Sequence, residues 1–336
     1  MIHSRSLVVL ALTLVGLYCA PPSAEAATTC TASTTPLAFG TVTGAANADS
    51  NGSVTITCNT FGLSLAAGVR VRMCLYIGDG VNGPGHFNPR RMTNTFGDPL
   101  QFQIYRDAAR TLTWGNGSFP SPLNIDLQYS VPLLGGSGSV TANLFGRVFA
   151  QTGLAAGSYT NPFTGGHTFM EFRYAEALLG TPAWPASCSS GGIGGGSTTF
   201  PFTASATVPN NCTISTATNL AFGTVPGRIS ANRDQTSAIT FTCTGRTAWN
   251  VALNNGQNAS GNIRRMRLGT TGSYVNYELY RDPGRTQRWG ATAGTNTVPG
   301  TGTGSAQTLT IYGRVPATQV VPAGNYRDVI TVTVTY

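Results

Sequence analysis

Seven cysteines are the residues with the plainest chemistry in this 336-residue chain. One, Cys19, lies in an apolar N-terminal run, and the rest are Cys30, Cys58, Cys74, Cys188, Cys212 and Cys243. An even set in an exported chain reads as three disulfides. Catalytic chemistry is harder to assemble. Beyond His3 the histidines are His86 and His167, and neither has a His or Cys neighbour at metal-ligand spacing. With the cysteines committed to bridges no thiol nucleophile remains, and the sequence carries neither a Gly-x-Ser-x-Gly elbow nor a phosphate loop. Asp107 and Asp282 recur in matching Tyr-Arg-Asp segments, which assigns them to turn structure rather than acid–base work. The chain is read as a non-enzyme, with no catalytic residue, no metal site and no cofactor.

The positive charge is all arginine. Of the chain's 20 basic side chains none is lysine, and against 12 acids they leave a net charge of +8. Arg90, Arg91, Arg264, Arg265 and Arg267 form clusters, yet they recur in both halves amid few aromatics, unlike a nucleic-acid platform. They are read as solvated strand edges, with no nucleic-acid partner. Charged residues make up only 10% of the chain, against about 25% in ordinary domains, which excludes coiled coils and charged tails.

Such side chains need elements to position them, and composition favours strands. Gly, Thr, Ser and Asn stand where a helical protein would use Ala, Leu, Glu and Lys. The N-terminal stretch is set aside first. His3 and Arg5 precede an apolar run from Leu7 to Tyr18, too short to span a bilayer, and Ala24-Glu25-Ala26 suits a signal peptidase. Residues 1–26 are read as a signal peptide cleaved after Ala26, and Tyr18 before Cys19 argues against a lipoprotein.

After it the same module occurs twice. Cys30-Thr-Ala-Ser-Thr, Leu37-Ala-Phe-Gly-Thr-Val42 and Val54-Thr-Ile-Thr-Cys58 return as Cys212-Thr-Ile-Ser-Thr, Leu220-Ala-Phe-Gly-Thr-Val225 and Ile239-Thr-Phe-Thr-Cys243. Arg90-Arg-Met92, Trp114-Gly115, Phe145-Gly-Arg-Val148 and Ala156-Gly-Ser-Tyr159 have counterparts in Arg264-Arg-Met266, Trp289-Gly290, Tyr312-Gly-Arg-Val315 and Ala323-Gly-Asn-Tyr326. A bridge present in each module must lie within it, so the repeat pairs Cys30 with Cys58 and Cys212 with Cys243. Cys74 and Cys188 are left for each other. Each module is a string of short alternating segments separated by turn residues, the spacing of a Greek-key sandwich. At the far end Ile330, Val332, Val334 and Tyr336 alternate with Thr331, Thr333 and Thr335, a half-buried strand. Between the modules, Ser189 to Ser197 reads as a flexible Gly/Ser linker.

The repeated Leu-Ala-Phe-Gly-Thr-Val segment, the Tyr-Arg-Asp and Trp-Gly region, the Ile-Tyr-Gly-Arg-Val strand and the closing Thr-Val-Thr-Val-Thr-Tyr run resemble the spore coat protein U domain family. That family includes subunits of archaic Csu-type chaperone-usher pili. The resemblance implies an all-β fold of two tandem immunoglobulin-like sandwiches, the second lacking its last strand. It implies a first domain over 27–188, a linker over 189–198 and a second domain over 199–336. It further implies a periplasmic chaperone, an outer-membrane usher and a neighbouring pilin as partners.

In that family a subunit lends a strand from ahead of its first cysteine. Only Ala27, Thr28 and Thr29 stand between the expected cleavage site and Cys30. The donor-like pattern falls instead at 199–208, where Phe200, Phe202, Ala204, Ala206 and Val208 share one face. This segment is expected to complete the first domain internally, the alternative being that it is simply the first strand of the second sandwich. The Ile330, Val332, Val334 and Tyr336 edge of the second is expected to accept a neighbour's strand. A subunit that receives but does not lend belongs at a pilus tip, and the resemblance then implies an adhesin for abiotic or host surfaces, active in biofilm formation and exported through the periplasm to the cell surface. Phe87, Phe119, Leu133 and Leu134, held between Gly and Pro in loops peculiar to the first module, are the expected surface-binding residues. The competing reading is a pilus-shaft or spore-coat-like component without adhesive activity.

Overall fold

The computed structural model describes residues 27–61, 67–117, 121–132 and 135–336. The expected signal peptide lies outside them. The first half opens with β1 (Ala27–Thr35), β2 (Leu37–Thr41), β3 (Ala48–Phe61), β4 (Ala67–Ile77), β5 (Arg90–Thr93) and β6 (Pro99–Tyr105). It continues with β7 (Leu123–Val131), β8 (Gly135–Val148), β9 (Gly157–Phe163), β10 (Thr168–Ala177), β11 (Gly194–Thr198) and β12 (Phe202–Val208). The second half holds β13 (Cys212–Ala217), β14 (Arg233–Cys243), β15 (Ala248–Leu253), β16 (Arg264–Leu268) and β17 (Tyr274–Tyr280). It ends with β18 (Val298–Thr301), β19 (Ala306–Val315), β20 (Tyr326–Arg327) and β21 (Val332–Thr335).

These strands build two sandwiches, so the fold is all-β. In the first, an eight-stranded sheet ordered β1-β3-β8-β6-β5-β9-β12-β2 faces a four-stranded sheet ordered β11-β10-β4-β7. The second pairs β13-β14-β19-β17-β16-β20 with β18-β15-β21. The period-two pattern makes each layer two-sided. On β3 the side chains of Val54, Ile56 and Cys58 are fully buried, while Thr55 and Thr57 point outward to meet Thr141 and Ser139 across the strand pair, hydroxyl to hydroxyl at 3.0 and 3.4 Å. The two apolar cores are separate, one per sandwich.

Each core is pinned by the same pair. Trp114 donates its indole N–H to the Leu75 carbonyl at 2.8 Å, and Trp289 does so to Val251 at 2.9 Å. Beside them Arg90 and Arg264 are fully buried, which corrects the reading of these two as solvated edge residues. Arg90 donates to the carbonyls of Gly78, Ile77 and Trp114 at 2.6 to 2.8 Å, and to the Gln103 amide oxygen. Arg264 serves Asn254, Leu253 and Trp289 in the same way and pairs with Glu278. A buried cation is tolerated only when its donors are filled, and here it satisfies strand-end carbonyls that would otherwise be orphaned. Burial pushes the Arg90 guanidinium down to about 9, still charged at neutral pH. Arg recurs in the sequence because a five-donor fork is needed, not because it is solvated.

The bridges are Cys30–Cys58 and Cys212–Cys243, between directly opposed strand residues with Cα atoms 4.0 and 4.1 Å apart, and Cys74–Cys188 at 5.7 Å. Closing such loops stabilises by roughly 3–5 kcal/mol each. Cys188 fastens a strap that leaves β10 and crosses the outer face of β4. There Arg70 and Arg72 donate to the Pro182 and Pro185 carbonyls, both at 2.9 Å, with the Trp184 ring 4.7 and 5.6 Å from their guanidinium carbons.

The two sandwiches meet at a defined joint. Gly245 exchanges backbone hydrogen bonds with Leu154 and Ala156 at 2.9 and 2.8 Å, and Arg246 forks onto the Asp98 carboxylate while lying over the Phe96 ring at 4.5 Å. The Gly-rich stretch read as a linker is partly strand, since Gly194–Thr198 pairs with Met170–Tyr174 as β11. Glycine is required there, because a Cβ on Gly195 would sit 2.4 Å from the Phe172 carbonyl oxygen.

Candidate functional site

β12 lies between β9 and β2, antiparallel to the first and parallel to the second. Its apolar face, Phe202, Ala204, Ala206 and Val208, turns into the first core together with Phe200, and none of the five is more than 5% exposed. Phe202 stacks on Phe163 with centroids 4.6 Å apart and planes at 7°. Val42 donates its amide to the Thr207 carbonyl at 2.8 Å and the Thr34 hydroxyl donates to Pro201 at 2.6 Å, so both ends of the segment are held. The segment anticipated as a donor strand is therefore a strand of the first sheet, supplied from the far side of the Gly-rich stretch.

The same positions in the second sandwich have no such strand among the described residues. Shared hydrogen bonds fix the correspondence: Tyr159 donates its hydroxyl to the carbonyl four residues back, Ala155, at 2.7 Å, and Tyr326 does the same to Pro322 at 2.8 Å. Asn161 and Phe163 thus answer to Asp328 and Ile330. Leu37, Phe39, Val42, Tyr159 and Phe163 are buried beside β12, whereas Leu220, Phe222, Val225, Tyr326 and Ile330 are only half-buried. Secondary structure follows the same rule. Without a neighbour to pair with, residues 220–225 form no strand and β20 shrinks to two residues where β9 has seven.

This open groove is already shaped. Gly313 brings the backbone of β19 so close that a Cβ would meet Leu220 at 2.7 Å and Phe222 at 3.0 Å, just as Gly146 receives Leu37 and Phe39. Where the first groove buries Phe102 and Asn161, the second places Tyr277 and Asp328, and the Tyr277 hydroxyl donates to the carboxylate at 2.7 Å. Burial, reinforced by that carboxylate, pushes the Tyr277 phenol well above its ordinary range. Asp328 also accepts from the backbone and side-chain amides of Asn258 at 3.2 and 3.0 Å.

The anticipated acceptor edge differs from this groove. Val332 and Val334 belong to β21, an edge strand paired with β15 in the smaller sheet. Its counterpart in the first sandwich is β10, and what pairs there is the glycine strand β11, not the Phe-bearing β12. Of the four residues, Ile330 alone lines the groove. The others mark a second open edge beside it, because a sandwich presents the edges of both sheets on one side.

A different surface lies at the opposite end of the first sandwich from the joint. Thr28 ties β1 to β3 through Thr60 at 2.7 Å and to β10 through Glu176 at 2.8 Å, which brings the ends of β3 and β10 together. Around them Phe61, Leu178 and Leu179 are 67, 71 and 83% exposed, with Ile193 nearby at 55%. Large apolar side chains left in water are the informative kind of exposure. Sequence reading passed over them, since Phe61 and Leu178 sit at strand ends where an apolar residue looks like core. Phe87, an expected loop contact, is half-buried with its ring against the Arg90 guanidinium at 4.2 Å, because Arg90 is inside and needs cover. Phe119, Leu133 and Leu134 lie outside the described residues. Asp107 accepts from Thr111 and Leu112, and Asp282 from Thr286 and Gln287, capping equivalent turns. His86 contacts Arg91, and His167 contacts Asp79 at 3.1 Å.

The profile described as Spore Coat Protein U domain matches residues 19–165 and again 198–333. Over 81 residues, 24% of this chain and 45% of the relative, the sequence is 40% identical to Protein U of Myxococcus xanthus, so the match spans less than half of that protein. Among solved structures, the CsuC–CsuE chaperone–tip adhesion subunit pre-assembly complex of Acinetobacter baumannii aligns with 92% of this chain and 100% of its own matched chain, at 16% identity and a TM-score of 0.45. The CupB6 tip adhesin of Pseudomonas aeruginosa aligns over 91 and 94% at 14% identity, with a TM-score of 0.34.

Proposed function

Because the chain belongs to the Spore Coat Protein U domain family, we propose that it is a non-enzymatic subunit of a chaperone-usher surface fibre, placed at the fibre tip and adhesive through its first sandwich. The observation carrying this reading is the contrast between twin grooves, one covered by β12 and the other, with matching side chains, uncovered. An exposed apolar groove flanked by unpaired strand edges takes an extended segment of another chain, since main-chain pairing and side-chain pockets are both ready. A periplasmic chaperone would occupy it first and a neighbouring subunit later, after passage through an outer-membrane usher. Among the described residues the one donor-like segment, 200–208, is already engaged within the chain, which supports a terminal place in the fibre. The three disulfides suit the oxidising route this implies.

Adhesion is assigned to the Phe61, Leu178 and Leu179 end, which points away from the joint with the second sandwich. Contact with an apolar substratum would bury these side chains at about 25 cal/mol per Å², so a few together hold a cell weakly per subunit and firmly in number. The test replaces Leu178→Asp and Leu179→Asp together and counts cells retained on polystyrene under flow. At least a tenfold loss with unchanged fibre amount is expected. Unchanged retention would remove the adhesive assignment and favour a shaft or coat role.

A further inference from the structure

We propose that the strand completing the second sandwich is bipartite: it carries a glycine where it passes Tyr336 on the β21 edge, and six residues further on a large apolar side chain that seats against Ile330. This rests on the open-groove reading above and specifies its partner. The first sandwich supplies the register. Trp114 and Trp289 donate to the carbonyls of Leu75 and Val251, which makes those two residues equivalent. Leu75 pairs with Met170 and Val251 with Val334, so Phe172, two residues beyond Met170, answers to Tyr336.

Gly196 pairs with Phe172, and a Cβ there would press on the Phe172 ring at 3.1 Å. The strand laid across that ring leaves Phe172 5% exposed, whereas Tyr336 is 54% exposed. Two residues past Gly196, after Thr198, the chain leaves the smaller sheet, crosses at Pro201 and enters the larger one, where Phe202 pairs with Phe163, the counterpart of Ile330. Ala204 and Ala206 then face Asn161 and Tyr159, the counterparts of Asp328 and Tyr326, so small residues are specified at those two steps. The spacing is fixed because one segment must pair with both sheet edges, and side chains alternate with a period of two. A one-residue slip between the parts would turn every groove-facing side chain outward.

The experiment extends the full chain beyond Tyr336 with a flexible linker of about ten residues and a copy of 194–208. Melting of the second sandwich and hydrogen-exchange protection of 220–225 and 326–330 are measured. The unaltered copy is expected to raise that melting temperature by roughly 10 °C and to protect both segments. Copies bearing Gly196→Val or Phe202→Ala should give less than half the gain, and a copy with one residue inserted after Thr199 none. If the inserted and Gly196→Val copies protect as well as the unaltered one, the bipartite register is wrong and the open groove stands. If no copy protects, the open-groove reading itself falls, and this proposal with it.

Discussion

Phe202→Ala tests whether β12 belongs energetically to the first sandwich or only lies along it. Phe202 is 5% exposed and stacked 4.6 Å from Phe163, and its backbone pairing with β9 would survive the substitution. The loss is therefore that of a buried aromatic plus the cavity it leaves, about 3–5 kcal/mol. For a unit of this size that lowers the melting temperature by roughly 10 °C. Calorimetry of the full chain should resolve the sandwiches, with hydrogen exchange on β9 and on β19 assigning each transition. Phe222→Ala is the internal control. The side chain is only half-buried in the open groove, so its removal should cost the second transition about 1 kcal/mol. If Phe202→Ala instead lowers the second transition, or lowers the first by less than about 1 kcal/mol, β12 is not completing the first sandwich and the tip reading loses its basis.

Arg264→Ala should destabilise the second sandwich by about 3–5 kcal/mol in urea melts, because it takes the donor fork from the Leu253, Asn254 and Trp289 carbonyls and leaves Glu278 with Arg288 as its one ion-pair partner, whereas Arg265→Ala should move the midpoint far less. Acid should weaken both sandwiches in parallel. Hydrogen bonds from Arg147 and Arg314 hold the Asp49 and Asp234 carboxyls below their ordinary value, so their contribution is complete above about pH 4 and lost as pH falls through the lowered folded values. Asp49→Asn with Asp234→Asn should flatten the unfolding midpoint against pH below 4, and an unchanged slope would assign acid sensitivity elsewhere. Arg246→Ala removes the fork on Asp98 and the contact over Phe96. Both melting transitions should stay in place while small-angle scattering shows a broader spread of inter-sandwich distances.

Much of this architecture is legible from residue order alone. Duplication made the bridges decidable, because a pair of cysteines repeated with its surroundings must close within each copy. Period-two alternation gave the strands, and the apolar pattern at 199–208 marked one that pairs with β9 and β2 of the first sheet. Polar residues were harder. Arg90 and Arg91 are adjacent and chemically alike, yet one is buried and the other is not, since only alternation across a finished sheet decides which points inward.

What the chain order could not supply is adjacency between remote segments. Residues 220–225 look as strand-like as 37–42, and only the presence or absence of a third segment beside them makes one a strand and leaves the other irregular. The vacancy lies chiefly between Leu220–Val225 and Tyr326–Ile330, with the β21 edge beside it, because in the finished first sandwich the donor crosses from one sheet to the other. Phe61, Leu178 and Leu179 come to the same end of the sandwich only through the closure of two layers. Backbone groups must pair somewhere, and which strand answers which edge is settled by the assembled sheets rather than by the residues that form them.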